Sequence, residues 1–259
     1  MSPRPIVFKL GGEALLAPTT LHAFLQSVKL LMSQRAVVIV HGGGPQADAM
    51  LSAAGISTNK TQGVRSTPTE HLPLVVGALA GVASQQLLAA TKKADINALA
   101  LSLADSDSFE CKTKDPSLGA VGTVSPKCAK SLMALLASGH LIVMSSIGCD
   151  ATGQSLNINA DEAALAVAKL LDAELILLSN VSGVLDAKQQ VLPQLNKQDI
   201  NNLIELGVIS DGMVVKVNAA WQAAQYLRRP VTIGSWHDTH AMQQLPLNSQ
   251  LQLGTQIQP

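Results

Sequence analysis

Short apolar runs punctuate the chain, each followed by turn residues and then by helically spaced apolar positions. The clearest runs are Ile6-Val7-Phe8-Lys9-Leu10, Val37-Val38-Ile39-Val40, Leu141-Ile142-Val143-Met144 and Leu175-Ile176-Leu177-Leu178. Near-continuous β-branched and leucine runs of this length predict strands covered on both faces. Helical spacing fills the intervals, at 20–34, 45–54, 68–93, 126–138, 159–170, 196–206 and 211–228. In the last of these, Met213, Val217, Ala220, Ala224 and Leu227 step by four, three, four and three along one helix face, with Asp211 placed to cap it. Pro68 and Pro126 read as openers of two other helices. The alternation predicts an α/β fold on a mainly parallel sheet. Two segments break the rhythm: 56–66 reads as a polar hairpin, and 104–125 as an excursion of short strands. In α/β sheets such insertions lie at strand ends, where ligands also bind. No Pro/Gly-rich linker divides the chain, so one domain with two lobes is expected, parting near 170–180.

Composition narrows the function. Of 259 residues, 47% are hydrophobic and 14% charged, which excludes intrinsic disorder. Eighteen basic residues balance eighteen acidic ones, so the basic excess of a nucleic-acid binder is missing. Three scattered cysteines make neither a disulfide framework nor a zinc site and suit a reducing cytoplasm. The segment MSPRPIVFKLGG lacks the apolar stretch of a secretory signal. No uninterrupted apolar run reaches the roughly 18 residues of a membrane span, so no membrane association is expected. Aromatics are only 2%, so a nucleotide base would lie in an aliphatic slot.

Two glycine clusters follow strands directly, Lys9-Leu10-Gly11-Gly12 and His41-Gly42-Gly43-Gly44-Pro45. Each is either a tight turn or a place where backbone N–H groups meet an anion, and two in one chain favour the anion. Gly42, Gly44 and Ala47 fit a lenient dinucleotide fingerprint, but the acidic residue expected about 20 positions on is missing. Lys9, inside an apolar strand, either snorkels at the strand end or addresses a phosphate on the adjacent glycines; the glycines favour the second. Lys216, taken alone, reads as a solvated helix lysine. Asp161 either caps the helix that follows or holds cationic side chains, and Asn157 and Asn159 share one face if their segment is extended. Arg65 is by default exposed, though its guanidinium suits a carboxylate.

Together these residues resemble the amino-acid kinase family. The likeness rests on Lys9–Gly12, His41–Gly44, Gly63-Val64-Arg65-Ser66-Thr67, Asn157-Ile158-Asn159-Ala160-Asp161, Val181-Ser182-Gly183-Val184-Leu185-Asp186 and Ser210-Asp211-Gly212-Met213-Val214-Val215-Lys216, in family order across nearly the whole chain. The resemblance implies an open αβα sandwich around about eight mainly parallel strands. It implies MgATP-dependent phosphorylation of the γ-carboxylate of N-acetyl-L-glutamate, in arginine biosynthesis. Lobe 1–172 would bind the amino acid and form a homodimer, and lobe 173–259 would bind ATP. By the same resemblance Lys9 and Lys216 stabilise the moving phosphoryl group and Asp161 orients them. Gly11 and Gly12 bind phosphate, Gly43 and Gly44 contact the acceptor, Arg65 takes its α-carboxylate and Asn157 touches it. Asn180, Val181, Ser182, Gly183, Val184 and Leu185, with Val208, Ile209 and Ser210, line the nucleotide site, and the metal is held by the ATP phosphates.

Departures from the family pattern are Asn180, where close relatives usually carry Asp, and Ala104-Asp105-Ser106-Asp107-Ser108, where they often carry glycines. With eight residues before Lys9, the extra helix of arginine-inhibited hexameric relatives has no room, so an arginine-insensitive dimer is expected. An acceptor carboxylate is already ionised at neutral pH and needs no general base. No acid is evident near Arg65 or Asn157, which suits a neutral acetamide better than an ammonium. Other carboxylate or carbamate kinases of the family, of glutamate 5-kinase or acetylaminoadipate kinase type, and a catalytically silent ligand sensor remain as alternatives.

Overall fold

Alternate residues of each apolar run enter different cores, and this two-sidedness organises the molecule. In the computed structural model, which describes residues 3–57, 60–61, 64–244 and 253–259, Ile6, Phe8 and Leu10 join one buried cluster and Val7 joins another. Val37 and Ile39 part from Val38 and Val40 in the same way, and Leu141 and Val143 from Ile142 and Met144. Successive side chains of a strand point to opposite faces, so these strands need cover on both. Helix Pro18–Met32 packs into the first cluster; helices Ala160–Leu170 and Asp211–Leu227 pack into the second. The outcome is the expected αβα sandwich.

The central sheet has eight strands, in the order Gln194–Leu195, Thr255–Ile257, Val231–Ser235, Glu174–Ser179, Ile6–Leu10, Val37–His41, Leu141–Ser145 and Ala98–Ser102. Neighbours run parallel except Val231–Ser235 with Thr255–Ile257. Ile6–Leu10 lies between Val37–His41 and Glu174–Ser179, so the chain builds one side of the sheet first and then crosses to the other. Such a switch opens a crevice at the strands' carboxyl ends. Lys9 sits there, level with Val40 and Leu177.

The excursion is two antiparallel strands, Phe109–Thr113 and Val121–Pro126, in a smaller sheet with Ser155–Ile158 and Ile147–Cys149. Pro126 therefore does not open a helix. It ends a strand opposite Phe109, at a last position where a missing N–H costs the ladder little, and the helix starts at Lys130. Pro68 precedes a 3₁₀ turn, Thr69–His71, which leads into helix Leu72–Val76, a π-helical segment Gly77–Ala83 and helix Ser84–Lys93. This continuous stretch, Thr69–Lys93, is long and apolar enough to cross a membrane by length and composition. Its Val75, Ala78, Leu79, Ala83 and Leu87 are nevertheless built into the protein core. Asp211 is the first residue of its helix and Ser210 holds the cap position. Lys60–Thr61 and Val64–Arg65 form the expected hairpin; Gly63 of the motif lies outside the described residues. In the 104–108 departure, Ser106 has φ +64°, a left-handed conformation that glycine adopts without strain.

His41, fully buried at the end of its strand, has Nδ1 2.8 Å from the Gly42 carbonyl and Nε2 3.1 Å from Ser84 Oγ. A carbonyl only accepts, so Nδ1 carries the proton; Nε2 faces the Ser84 hydroxyl, which itself donates to the Leu79 carbonyl at 3.1 Å. Burial lowers the imidazole pKa, against the smaller opposing effect of the Gly42 bond. The unfolded chain takes a proton near pH 6.5 that the folded chain resists. Stability is therefore expected to fall as pH drops below about 6.5, by at most ~1.4 kcal/mol per pH unit from this group. Denaturant unfolding at about pH 7.5 and about pH 5.5 checks this, with a smaller loss expected in His41→Asn.

Candidate active site

Two cavities meet at the switch point and share Lys9 and Asp161. The larger, about 250 Å³, is walled by both glycine turns, Arg65 and Asn157. The smaller, about 170 Å³, is walled by the strand end Leu177-Leu178-Ser179 and by Gly212, Val215, Lys216 and Ala219 of the Asp211–Leu227 helix. The glycine turns nest against each other. A Cβ on Gly12 would lie 2.9 Å from Pro45 and 3.1 Å from the Gly43 Cα, and one on Gly43 would lie 3.0 Å from Leu79. Only residues without side chains permit this approach, and Gly44 then starts a helix whose N-terminus borders the larger cavity.

Strand periodicity accounts for Lys9. It shares a face with Val7, the face covered by helix Ala160–Leu170. Asp161, in the first turn of that helix, meets Lys9 Nζ at 3.1 Å. Asp161 does not cap the helix. Asn159 does, its side chain accepting from the Asp161 N–H at 2.7 Å and from Glu162 at 3.4 Å, which leaves the Asp161 carboxylate to the lysine. Lys216 is half-buried against the smaller cavity and is no ordinary solvated lysine. Burial lowers its pKa, the charge of Lys9 lowers it further, and Asp161 and Glu13 act in the opposite direction.

Arg65 departs from the default of an exposed arginine, being 7% exposed. Its Nη2 meets the Asp48 carboxylate and lies 3.4 Å from the Gly44 carbonyl, while Nη1 is buried with no partner. The expectation of no acid near Arg65 is overturned by Asp48, which the helix Gly44–Ala53 brings alongside. Asn157 Nδ2 donates to Thr67 Oγ1 at 2.9 Å, and that hydroxyl donates to the Arg65 carbonyl at 3.1 Å. Thr67 also exchanges backbone bonds with the excursion, through Leu118 at 2.9 Å and Ala120 at 2.7 Å. Gly119, at φ +74°, leaves no room for a Cβ against the Thr67 carbonyl. The excursion thus braces both Arg65 and Asn157.

The residues implied for the nucleotide lie near the smaller cavity in sequence, flanked by Ser179 and Gly212, without lining it. Asn180 is exposed and accepts from the Trp236 indole N–H at 3.0 Å. Val181 and Leu185 are half-buried, Ser182 is exposed and Gly183 is buried, where a Cβ would lie 2.7 Å from Thr255 Oγ1. Val184 and Ile209 are core side chains, the Val184 N–H donating to Thr255 Oγ1 at 2.8 Å. Val208 is half-buried and Ser210 exposed. Sequence reasoning missed Asp48, Glu13, Leu177 and Ser179. No local pattern couples Asp48 to Arg65; Leu177 was legible as part of a strand, but only the sheet pairing sets that strand beside Lys9.

A model of the amino acid kinase family matches residues 4–235. The acetylglutamate kinase of Shewanella sediminis is 43% identical over 255 residues, spanning 98% of this chain and 96% of that protein. That of Aeromonas salmonicida is 43% identical over 259 residues and covers 99% of each. Among solved structures, the N-acetylglutamate synthase of Neisseria gonorrhoeae, complexed with coenzyme A and N-acetyl-glutamate, has a TM-score of 0.82 at 20% identity. The match covers 99% of this chain and 59% of that one and is a likeness of fold.

Two substitutions test the geometry. Asn159→Ala is expected to cost about 1 kcal/mol in denaturant unfolding, the worth of a side-chain cap. Asp161→Ala removes a charge that favours the Lys216 ammonium, so the Lys216 pKa is expected to fall further, read by NMR titration of isotopically dimethylated lysines.

Proposed function

The chain belongs to the amino acid kinase family, and from that premise we propose that it transfers the γ-phosphoryl group of ATP to the γ-carboxylate of N-acetyl-L-glutamate. The product is N-acetyl-L-glutamyl 5-phosphate, and the pathway is arginine biosynthesis. The observation that carries this reading is the shared wall of Lys9 and Asp161 between two cavities, with Lys216 on the smaller one. Acceptor and donor occupy opposite sides, and the group in transit passes the ammonium groups.

The chemistry follows from charge. The acceptor carboxylate, with an ordinary pKa of about 4.3, arrives ionised and needs no base. The obstacle is an anion attacking an anionic phosphoryl group, so catalysis is positioning and neutralisation. Lys9 and Lys216 supply the neutralising charge, and Asp161 holds Lys9 in place. The N–H groups of Gly11 and Gly12 receive phosphate oxygens, and those of Gly43 and Gly44 receive the acceptor. The unpartnered Nη1 of Arg65 takes the α-carboxylate, and Asn157, held by Thr67, borders the same cavity. Asp48 is engaged with Arg65, which leaves a neutral acetamide the better fit for the amine end.

Segments 180–185 and 208–210 border the nucleotide largely through their backbone, since Val184 and Ile209 are core side chains. Asp161 is engaged by Lys9, and among the described residues no group of three or more His, Cys, Asp or Glu is placed to hold a metal ion. Mg²⁺ would be carried on the ATP phosphates, where it would screen their charge. Residues 1–172 serve as the acceptor lobe and 173–259 as the nucleotide lobe, joined through one sheet by the pairing of Ile6–Leu10 with Glu174–Ser179. The same reading makes the enzyme a cytoplasmic homodimer through its N-terminal lobe; light scattering reads the dimer directly.

Hydroxylamine trapping tests the reaction. ATP with N-acetylglutamate is expected to yield the hydroxamate, and glutamate or acetylaminoadipate to yield far less. Lys9→Ala and Lys216→Ala are each expected to lower kcat by about 10²–10³. A near-normal kcat in Lys9→Ala would remove it from the catalytic set. Arg65→Ala is expected mainly to raise KM for the amino acid.

A further inference from the structure

We infer that Asp48 is a positioning residue, gripping one edge of the Arg65 guanidinium so that the other edge faces the acceptor's α-carboxylate. The inference rests on the proposed role of Arg65. Arg65 ends a hairpin paired over only two residues on each side, which is little to hold a long side chain in register. Yet its guanidinium is almost fully enclosed, where an unpaired charge is costly. The fixed point is the helix Gly44–Ala53, which contributes the Asp48 carboxylate and the Gly44 carbonyl to the same nitrogen, Nη2. Nη1 is left buried and unpartnered.

A guanidinium is planar, with its five donors in a rigid fork. Fixing Nη2 therefore fixes the direction of Nη1. Arg65 lines the larger cavity, and Asp48 is not among its lining residues, so Asp48 acts through the arginine. Gly44 serves both ends of this arrangement: its carbonyl steadies Arg65, and its helix start borders the cavity the acceptor enters. A carboxylate ligand then meets a guanidinium already held in place, with less side-chain freedom to lose on binding.

The test compares two acceptors, N-acetylglutamate and 4-acetamidobutanoate, which is the same molecule without the α-carboxylate. Asp48→Asn keeps an acceptor oxygen but loses the charge. It is expected to raise KM for N-acetylglutamate about tenfold, with KM for ATP and kcat changed by less than about twofold. With 4-acetamidobutanoate the same variant is expected to match the wild type within about twofold, because the group that Arg65 addresses is missing. Asp48→Glu, which keeps the charge, is expected to restore part of the loss. It carries the test if Asp48→Asn does not fold by circular dichroism. An unchanged KM for N-acetylglutamate, or equal losses with both acceptors, would overturn the role of Asp48 while leaving the proposed reaction standing. Absence of wild-type turnover of N-acetylglutamate would overturn the reaction itself, and this inference with it.

Discussion

The ion pair between Lys9 and Asp161 is the constraint around which the rest of the site is arranged. A lysine on a strand covered on both faces loses hydration, and only a carboxylate delivered to the same place offsets that loss. Delivering it requires helix Ala160–Leu170 to begin where the strand Ile6–Leu10 ends. It also requires Asn159 to take over the capping bonds that Asp161 would otherwise be drawn into. With side chains 20% and 42% exposed, the pair adds little to stability. Its contribution is positional: it holds one ammonium at the junction of two cavities, facing a second ammonium that burial and like charge both destabilise.

Around that junction, backbone geometry shapes much of the cavity wall. The two glycine turns approach each other too closely for side chains, so the surfaces presented to an anion are N–H groups and helix starts. The opposite wall is built from side chains, and those need external support. Thr67 is the common strut: it receives Asn157, donates to the Arg65 carbonyl, and is bonded through its backbone to the 104–125 excursion. An insertion that looks peripheral in the sheet therefore acts as scaffolding for the wall of the larger cavity, and the positive φ of Gly119 is what lets it dock.

Much of this was legible in the chain. The apolar runs and helical spacings foretold an α/β fold with strands covered on both faces, because one residue's burial depends on neighbours two, three or four positions away. Lys9 stood out because charge interrupted an apolar run, and the glycine clusters because they followed strands. Pro126 misled because a proline suits a strand's last position as well as a helix's first turn. Asp161 stayed ambiguous because Asn159 and Asp161 are both good caps, and only the backbone path chose between them. Val184 and Ile209 carried a motif's resemblance, yet their side chains belong to the core.

Local periodicity in the sequence by itself thus determined the layers, the strand ends and the identity of the cationic and glycine-rich groups. The tertiary structure alone decided which charges meet: Lys9 with Asp161 across most of the chain, Arg65 with Asp48 across a hairpin whose linking residues carry no common period, and Lys216 facing Lys9 from a distant helix. Such encounters are set by the sheet's switch in winding direction, which brings remote segments to one crevice and which no window of neighbouring residues encodes.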